Sequence, residues 1–338
     1  MPDPQTPPTK PGATQRMPGG RSRQRDAERA PLDLADSRRR MRAKLAPEYD
    51  FTPHFVRSVD GPWMHFVDKG NPAAEPILCV HGNPSWSFHF RKLVDRFADT
   101  HRVIAPDLVG CGFSEKPADF DYRLERHVAT LEGFVDELGL DQITLVVQDW
   151  GGAIGLGFAT RRPDLVERLV ILNSGAFRSA AMPPRIALAR LPLLGRLGVR
   201  GLGLFSRLAL SWAVERKRWS KLEKRGYLLP YKGWSQRVAI DAFVLDIPMR
   251  PGHPSYDELV RIEEALPSLA HKPTALVWGE RDWCFTTAFR DRYREFFPQA
   301  ESVGLPDAGH WVLEDASDEV LDAIAGFLER HPLPAPVE

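Results

Sequence analysis

Val146-Val147-Gln148-Asp149-Trp150-Gly151-Gly152 is the stretch whose reading decides the architecture. The β-branched run over Gln142 to Val147 reads as a strand, and Gly152 to Thr160 reads as a helix, so the chain must turn sharply between them. Glycines at 151 and 152 permit that turn and let the helix lie close to the sheet. An Asp before a helix is also an ordinary N-cap, which alone would account for Asp149. Its chemistry therefore depends on what the rest of the chain brings beside it.

The same alternation runs outward in both directions. Upstream, Phe55 to Asp60 and Met64 to Asp68 read as two short strands joined around Asp60-Gly61, a hairpin signal. Pro76 to Val80 is a short apolar run suited to a strand buried on both faces. Pro84 to Ala98 reads as a helix, and His101 to Pro106 as a strand. From Arg123 to Leu138, Leu124, His127, Val128, Leu131, Phe134, Val135 and Leu138 recur at helical spacing. Downstream, Val166 to Asn173, Thr274 to Trp278 and Ser302 to Leu305 read as strands, and Ser317 to Arg330 as a closing helix. Alternating strands and helices imply an α/β protein with a mostly parallel, doubly wound sheet. Residues 174–267 break the rhythm and hold no alternating strand. The expected organisation is a core over 48–173 and 268–338 with a helical cap, 174–267, inserted into it.

The 338 residues carry 45 basic and 45 acidic side chains, with 43% hydrophobic residues and pI near 7.2. That balance excludes a dedicated nucleic-acid binder, which usually has a basic domain. Three cysteines without a CxxC spacing point away from a disulfide framework or a zinc site. The longest apolar stretch, near Leu202 to Val214, contains Arg207 and is too short to span a bilayer. The zero net charge is an average. Residues 1–47 hold eleven basic and five acidic side chains, giving +6, and the remainder carries −6. This first segment is rich in Pro, Gly, Gln and Ser, so it reads as a disordered, solvated basic tail.

Four segments follow strands on loops, where open α/β sheets bind ligands: His81-Gly82-Asn83-Pro84, the stretch around Asp149, Trp278-Gly279-Glu280-Arg281-Asp282, and Ala308-Gly309-His310. The turn at Asp149 resembles the nucleophile elbow of α/β-hydrolases, with Asp149 where a serine usually stands. A carboxylate nucleophile becomes part of an ester itself, so it suits electrophilic saturated carbon or strained rings. Asp149, Asp282 and His310 follow the chain order nucleophile, acid, histidine. His310 would serve as base, and Asp282 would orient it; Glu280 and Asp307 compete for the acid role. Backbone N–H groups of Asn83 and Trp150 would face charge on the Asp149 carbonyl, and their side chains offer two neutral donors for a leaving halide or lactone oxygen.

These residues together resemble the haloalkane dehalogenase superfamily, from about Phe55 to Leu328. Asn173 stands where one dehalogenase subfamily carries a glutamate, which sends the acid role to Asp282. Tyr227-Leu228-Leu229-Pro230-Tyr231 with Trp234, and Leu245-Asp246-Ile247-Pro248 with Pro254-Ser255-Tyr256, look like the branch holding the β-lactone decarboxylases of long-chain olefin biosynthesis. That resemblance implies conversion of a cis-β-lactone to an alkene, with haloalkane dehalogenation as the alternative. Epoxide hydrolysis, which needs tyrosines in the lid, and a noncatalytic receptor or scaffold are the lesser readings. The candidate pocket residues are Trp212, Tyr227, Tyr231 and Trp234.

No metal, nucleotide or flavin motif is present, so neither cofactor nor metal is expected. A cytoplasmic enzyme acting on a small apolar or long-chain substrate is the expectation, with its oligomeric state left open. Between Ile186 and Val214 the cap is dense in Leu and Ala. Arg185, Arg196, Arg200 and Arg207 would share a sector of about 60° on one continuous helix, although Gly195, Gly198, Gly201 and Gly203 interrupt it. Such a basic stripe beside an apolar face, like the basic tail, fits contact with a membrane surface or a pathway enzyme. It equally fits a lid over an apolar site.

Overall fold

The computed structural model describes residues 32–59 and 61–333. Eight strands, β1 (His54–Arg57), β2 (Trp63–Lys69), β3 (Pro76–Val80), β4 (Arg102–Pro106), β5 (Ile143–Asp149), β6 (Val166–Ser174), β7 (Thr274–Gly279) and β8 (Glu301–Leu305), form one sheet in the order β1-β2-β4-β3-β5-β6-β7-β8. The β1–β2 hairpin pairs Phe55 with His65, and β2 runs antiparallel to β4. All pairings from β4 through β3 to β8 are parallel.

The period of two along the strands sends side chains into two separate cores. Leu78, Val80, Leu145, Val147, Leu169 and Ile171 pack on one face. Ile77, Cys79, Val146, Val170 and Leu172 pack on the other. Residues of β5 are buried throughout, as expected at the centre of a sheet covered on both sides.

Helices α1 (Leu32–Arg42), α2 (Arg91–Phe97), α3 (Leu124–Leu138) and α4 (Trp150–Arg161) precede β6. The helix expected from Pro84 begins later, as a 3₁₀ turn over Ser87–Phe90 that runs into α2. The helix α3 buries Leu131, Phe134 and Val135 and ends at Gly139, whose φ of 60° is the left-handed cap that glycine adopts without strain. Between β6 and β7 lie α5 (Pro184–Ala189), α6 (Leu194–Arg196), α7 (Leu204–Trp212), α8 (Lys221–Leu228), α9 (Val238–Leu245) and α10 (Tyr256–Ala265), and no strand is found there among the described residues. After β7 come α11 (Thr287–Phe296), α12 (Val312–Asp315) and α13 (Ser317–Arg330). None of the described helices is long and apolar enough to cross a membrane.

Two expectations need correction. The tail was expected to run disordered to residue 47, but its last third is built into the fold; residues 1–31 lie outside the described ones. After α1, Leu45 is fully buried and the Tyr49 hydroxyl bonds Ser87 Oγ at 2.5 Å. Arg38 Nε donates to the Phe113 carbonyl at 2.8 Å. Composition averaged over 47 residues hides this short anchor, whose arginines satisfy loop carbonyls. The arginine stripe also does not form. The segment after α5 is broken by a turn and by a π-helical stretch over Leu197–Leu202, so each arginine takes its own direction. Arg185 lies over Trp212 and Trp283 at 4.7 and 5.0 Å. Arg200 is buried, its Nε donating to the Trp234 carbonyl at 3.3 Å.

Candidate active site

The end of β5 projects Asp149 into the space above the sheet. Its φ of 54° and ψ of −128° form a bend that a non-glycine residue enters only under constraint from its surroundings. That constraint is visible. A β-carbon on Gly82 would strike the Asp149 carboxyl, one on Gly151 the Val80 carbonyl, and one on Gly152 the Ser174 hydroxyl. Ser174 Oγ donates to the Asp149 carbonyl at 2.6 Å and pins the turn from β6. Sequence reading missed Ser174, because nothing in the strand distinguishes its hydroxyl from a solvent-facing one.

Asn83, after β3, donates its backbone N–H to Asp149 Oδ1 at 2.6 Å. The N–H of Trp150 is the first of α4 and has no partner within the helix. Of the two expected backbone donors, that of Asn83 is thus seated on the carboxylate. The Asn83 side chain is partly committed: Nδ2 donates to the Ile240 carbonyl at 3.2 Å, leaving its second N–H for the cavity, while its buried Oδ1 has no partner. The Trp150 ring lies 5.3 Å from that of Phe243 and lines the cavity.

His310, on the loop before α12, stands with Nε2 3.4 Å from Asp149 Oδ2 and Nδ1 2.7 Å from Asp282 Oδ2. Gln148 Nε2 holds the His310 carbonyl at 2.9 Å, and the Phe285 ring stacks on the imidazole at 5.6 Å. Asp282 is buried. It accepts from the Cys284 N–H at 2.7 Å and from Asn173 Nδ2 at 3.0 Å. Asn173 also exchanges hydrogen bonds with both backbone groups of Gly279 (2.8 and 2.9 Å), tying the ends of β6 and β7 together. The competing acids are spent elsewhere: Glu280 bonds Arg290 at 2.6 Å, and Asp307 pairs with Arg216.

Burial by itself would push the His310 pKa down. The Asp282 and Asp149 carboxylates outweigh it and hold the ring up at about 10, so the imidazole is charged at neutral pH. Burial and the same two carboxylates push the Cys284 thiol up, which keeps this cavity residue protonated and weakly nucleophilic.

The cavity over these groups is apolar, with Phe177, Met182, Ile186, Phe205, Val244 and Met249 in its wall. Of the four aromatic pocket candidates only Trp212 lines it. Tyr227 instead stacks on Trp311 at 4.4 Å and donates to Glu314 at 2.8 Å. The buried Tyr231 hydroxyl accepts from Gly112 N–H at 3.0 Å and donates to the Ser85 carbonyl at 3.2 Å. Trp234 is 45% exposed, with Arg200 4.7 Å over its ring. Each aromatic found a structural partner that spacing could not reveal. Among the described residues, no group of three or more His, Cys, Asp or Glu is placed to hold a metal.

A strained carboxylate turn after the central strand, the Asn83 N–H donor after β3, and an acid and a histidine after β7 and β8 make an arrangement of the α/β-hydrolase kind. The chain belongs to the α/β hydrolase fold family, whose model matches residues 75–317. It is 42% identical over 284 residues to the cis-3-alkyl-4-alkyloxetan-2-one decarboxylase of Shewanella oneidensis, covering 82% of this chain and 88% of that protein. It is 33% identical to haloalkane dehalogenase 2 of Mycobacterium tuberculosis, covering 77% and 90% of the two chains. Among solved structures, the haloalkane dehalogenase DatA from Agrobacterium tumefaciens superposes with a TM-score of 0.75 at 27% identity, covering 84% of this chain and 98% of that one.

Proposed function

We propose that this enzyme converts cis-3,4-dialkyl oxetan-2-ones to alkenes and carbon dioxide, with Asp149 as nucleophile. The observation that carries the reading is the 42% identity to a decarboxylase of that substrate class, against 33% to a dehalogenase. An apolar cavity over a lone carboxylate suits such a substrate.

Asp149 Oδ2, the oxygen that Asn83 leaves free, attacks ring carbon C4 from behind the C4–O1 bond. That bond breaks, and the ring oxygen leaves as part of a new carboxylate. The charged His310, the Asn83 amide and the Trp150 indole N–H are the donors that balance it. The C2–C3 bond then breaks, and its electron pair forms the alkene and expels the Asp149 carboxylate. No proton moves and no water is consumed, which suits a histidine kept charged. Inversion followed by anti elimination carries a cis ring to a cis alkene. Asp282 and Asn173 act as positioning residues behind His310.

Haloalkane dehalogenation is the second reading, favoured by the Asn83 and Trp150 donors and the DatA superposition. Esterifying Asp149 would remove one of the charges that hold the His310 proton, freeing the ring to take one from water. Epoxide hydrolysis loses support, because no tyrosine lines the cavity among the described residues. The test pairs a cis-dialkyl oxetanone with a 1-bromoalkane in ¹⁸O-labelled water, assaying alkene, bromide and label on Asp149. Alkene with an unlabelled Asp149 is expected. Bromide release with a labelled Asp149, and no alkene, would replace this reading with dehalogenation.

A further inference from the structure

Nine of the eleven large apolar side chains left exposed among the described residues lie between Leu188 and Leu245. The densest part is Leu191-Pro192-Leu193-Leu194, with Leu197 and Leu202 following. Leu193, Leu194 and Leu202 are 78, 72 and 63% exposed. The Trp234 ring joins this surface beside Gly201, 3.8 Å from where a β-carbon there would stand. Single exposed leucines are ordinary, but a contiguous set on one insertion marks a contact surface.

Charge identifies the contact. From Ser174 to Val214 the sequence holds six arginines and no Asp or Glu. Arg185 turns to Trp212 and Trp283 at the cavity, but Arg196, 3.6 Å from Asp241, and Arg207 remain exposed, and Arg207 stands one turn beyond the exposed Leu204 on the same face of α7. A second copy packed through a two-fold axis would set arginine against arginine. An apolar face fringed by guanidinium groups complements acyl chains beneath anionic headgroups. The inner side of the same helices supplies Ile186, Phe205 and Ala209 to the cavity wall.

We propose that the outer face of α5 to α7, with Trp234, is a docking surface for an anionic phospholipid bilayer, which sets the cavity beside the phase where an apolar substrate dissolves. The proposal stands on this surface alone and does not depend on which electrophile the site accepts.

The test is flotation of the full chain with phosphatidylcholine vesicles, with and without phosphatidylglycerol. The wild type is expected to float with the anionic vesicles and to be released by salt. L193E/L194E is expected to weaken binding roughly a hundredfold, and R196Q/R207Q to remove the preference for phosphatidylglycerol. Circular dichroism and melting temperature show whether each variant is folded; both substituted leucines are largely exposed, so little change is expected. A wild type that stays soluble overturns the proposal. Flotation of L193E/L194E like the wild type also overturns it, and assigns binding to the basic N-terminal residues. A shift from dimer to monomer in that variant, without vesicle binding by the wild type, assigns the surface to a second copy instead.

Discussion

Asp149 is held in its bend by neighbours too close to admit a β-carbon at Gly82, Gly151 or Gly152. Its replacement by Asn should keep the fold and lower turnover by at least about four orders of magnitude. The same change removes a charge that holds the His310 proton, so the His310 pKa should fall from about 10, followed by NMR of the ring protons. Retained turnover, or an unmoved titration, would remove Asp149 from the proposed chemistry. A folded-state pKa above the ordinary 6.5 also stabilises the fold, in full below about pH 6.5 and fading as pH rises through about 10. The urea stability advantage of the wild type over His310→Gln should therefore shrink across that window. Asp149, Asp282 and His310 were legible because each follows a recognisable strand. Ser174 and the double role of Asn173 were not, since hydroxyl and amide partners across strands depend on register, which one sequence does not display.

Helices and strands divide in the same way. The strands β3 to β7 were legible because burial on both faces leaves continuous apolar runs. The break between α5 and α7 was harder to read, because glycines interrupt the helical period without saying where the chain goes next. At the N-terminal end, α1 escaped notice because the arginine-rich composition of residues 1–47 outweighed one anchoring residue, Leu45, which is fully buried. Leu45→Ala should cost about 2–5 kcal/mol, read as a lower urea midpoint with unchanged slope. A cost near zero would return this segment to the status of a tail. Deletion through residue 47 should be destabilising for the same reason.

At the scale of the whole molecule, a buried ionic cluster joins the insertion to the core. Arg91 of α2 pairs with Glu314 of α12 and, at 3.3 Å, with Glu223 of α8, while Tyr227 donates to the same Glu314. Burial alone would raise the Glu314 pKa, but Arg91 holds it down at about 2. Its contribution is therefore present above about pH 4.5 and lost as pH falls through about 2. Glu314→Gln should cost up to about 3–5 kcal/mol near neutrality, because it leaves the buried Arg91 guanidinium only its longer pairings with Glu223 and Glu48. In urea titrations the gap between variant and wild type should narrow as pH approaches 2; a gap independent of pH would refute the assignment. The large insertion was legible as an interruption of strand rhythm, but this cluster was not, because its charges are scattered through the sequence.

The same long insertion has a consequence for how the chain is made. Gln148, next to the elbow, and His310 are 162 positions apart. At ordinary ribosomal rates that gap represents roughly 10–30 s of synthesis. During that interval the elbow can exist beside β3 and β6, but its imidazole has not been made. The contacts among Asn173, Asp282 and His310 close only when β7 and β8 join the sheet at the far end of a hundred-residue detour. A nascent or truncated chain can therefore carry a well-formed carboxylate turn without its imidazole, and on the proposed mechanism its turnover would report on the finished molecule.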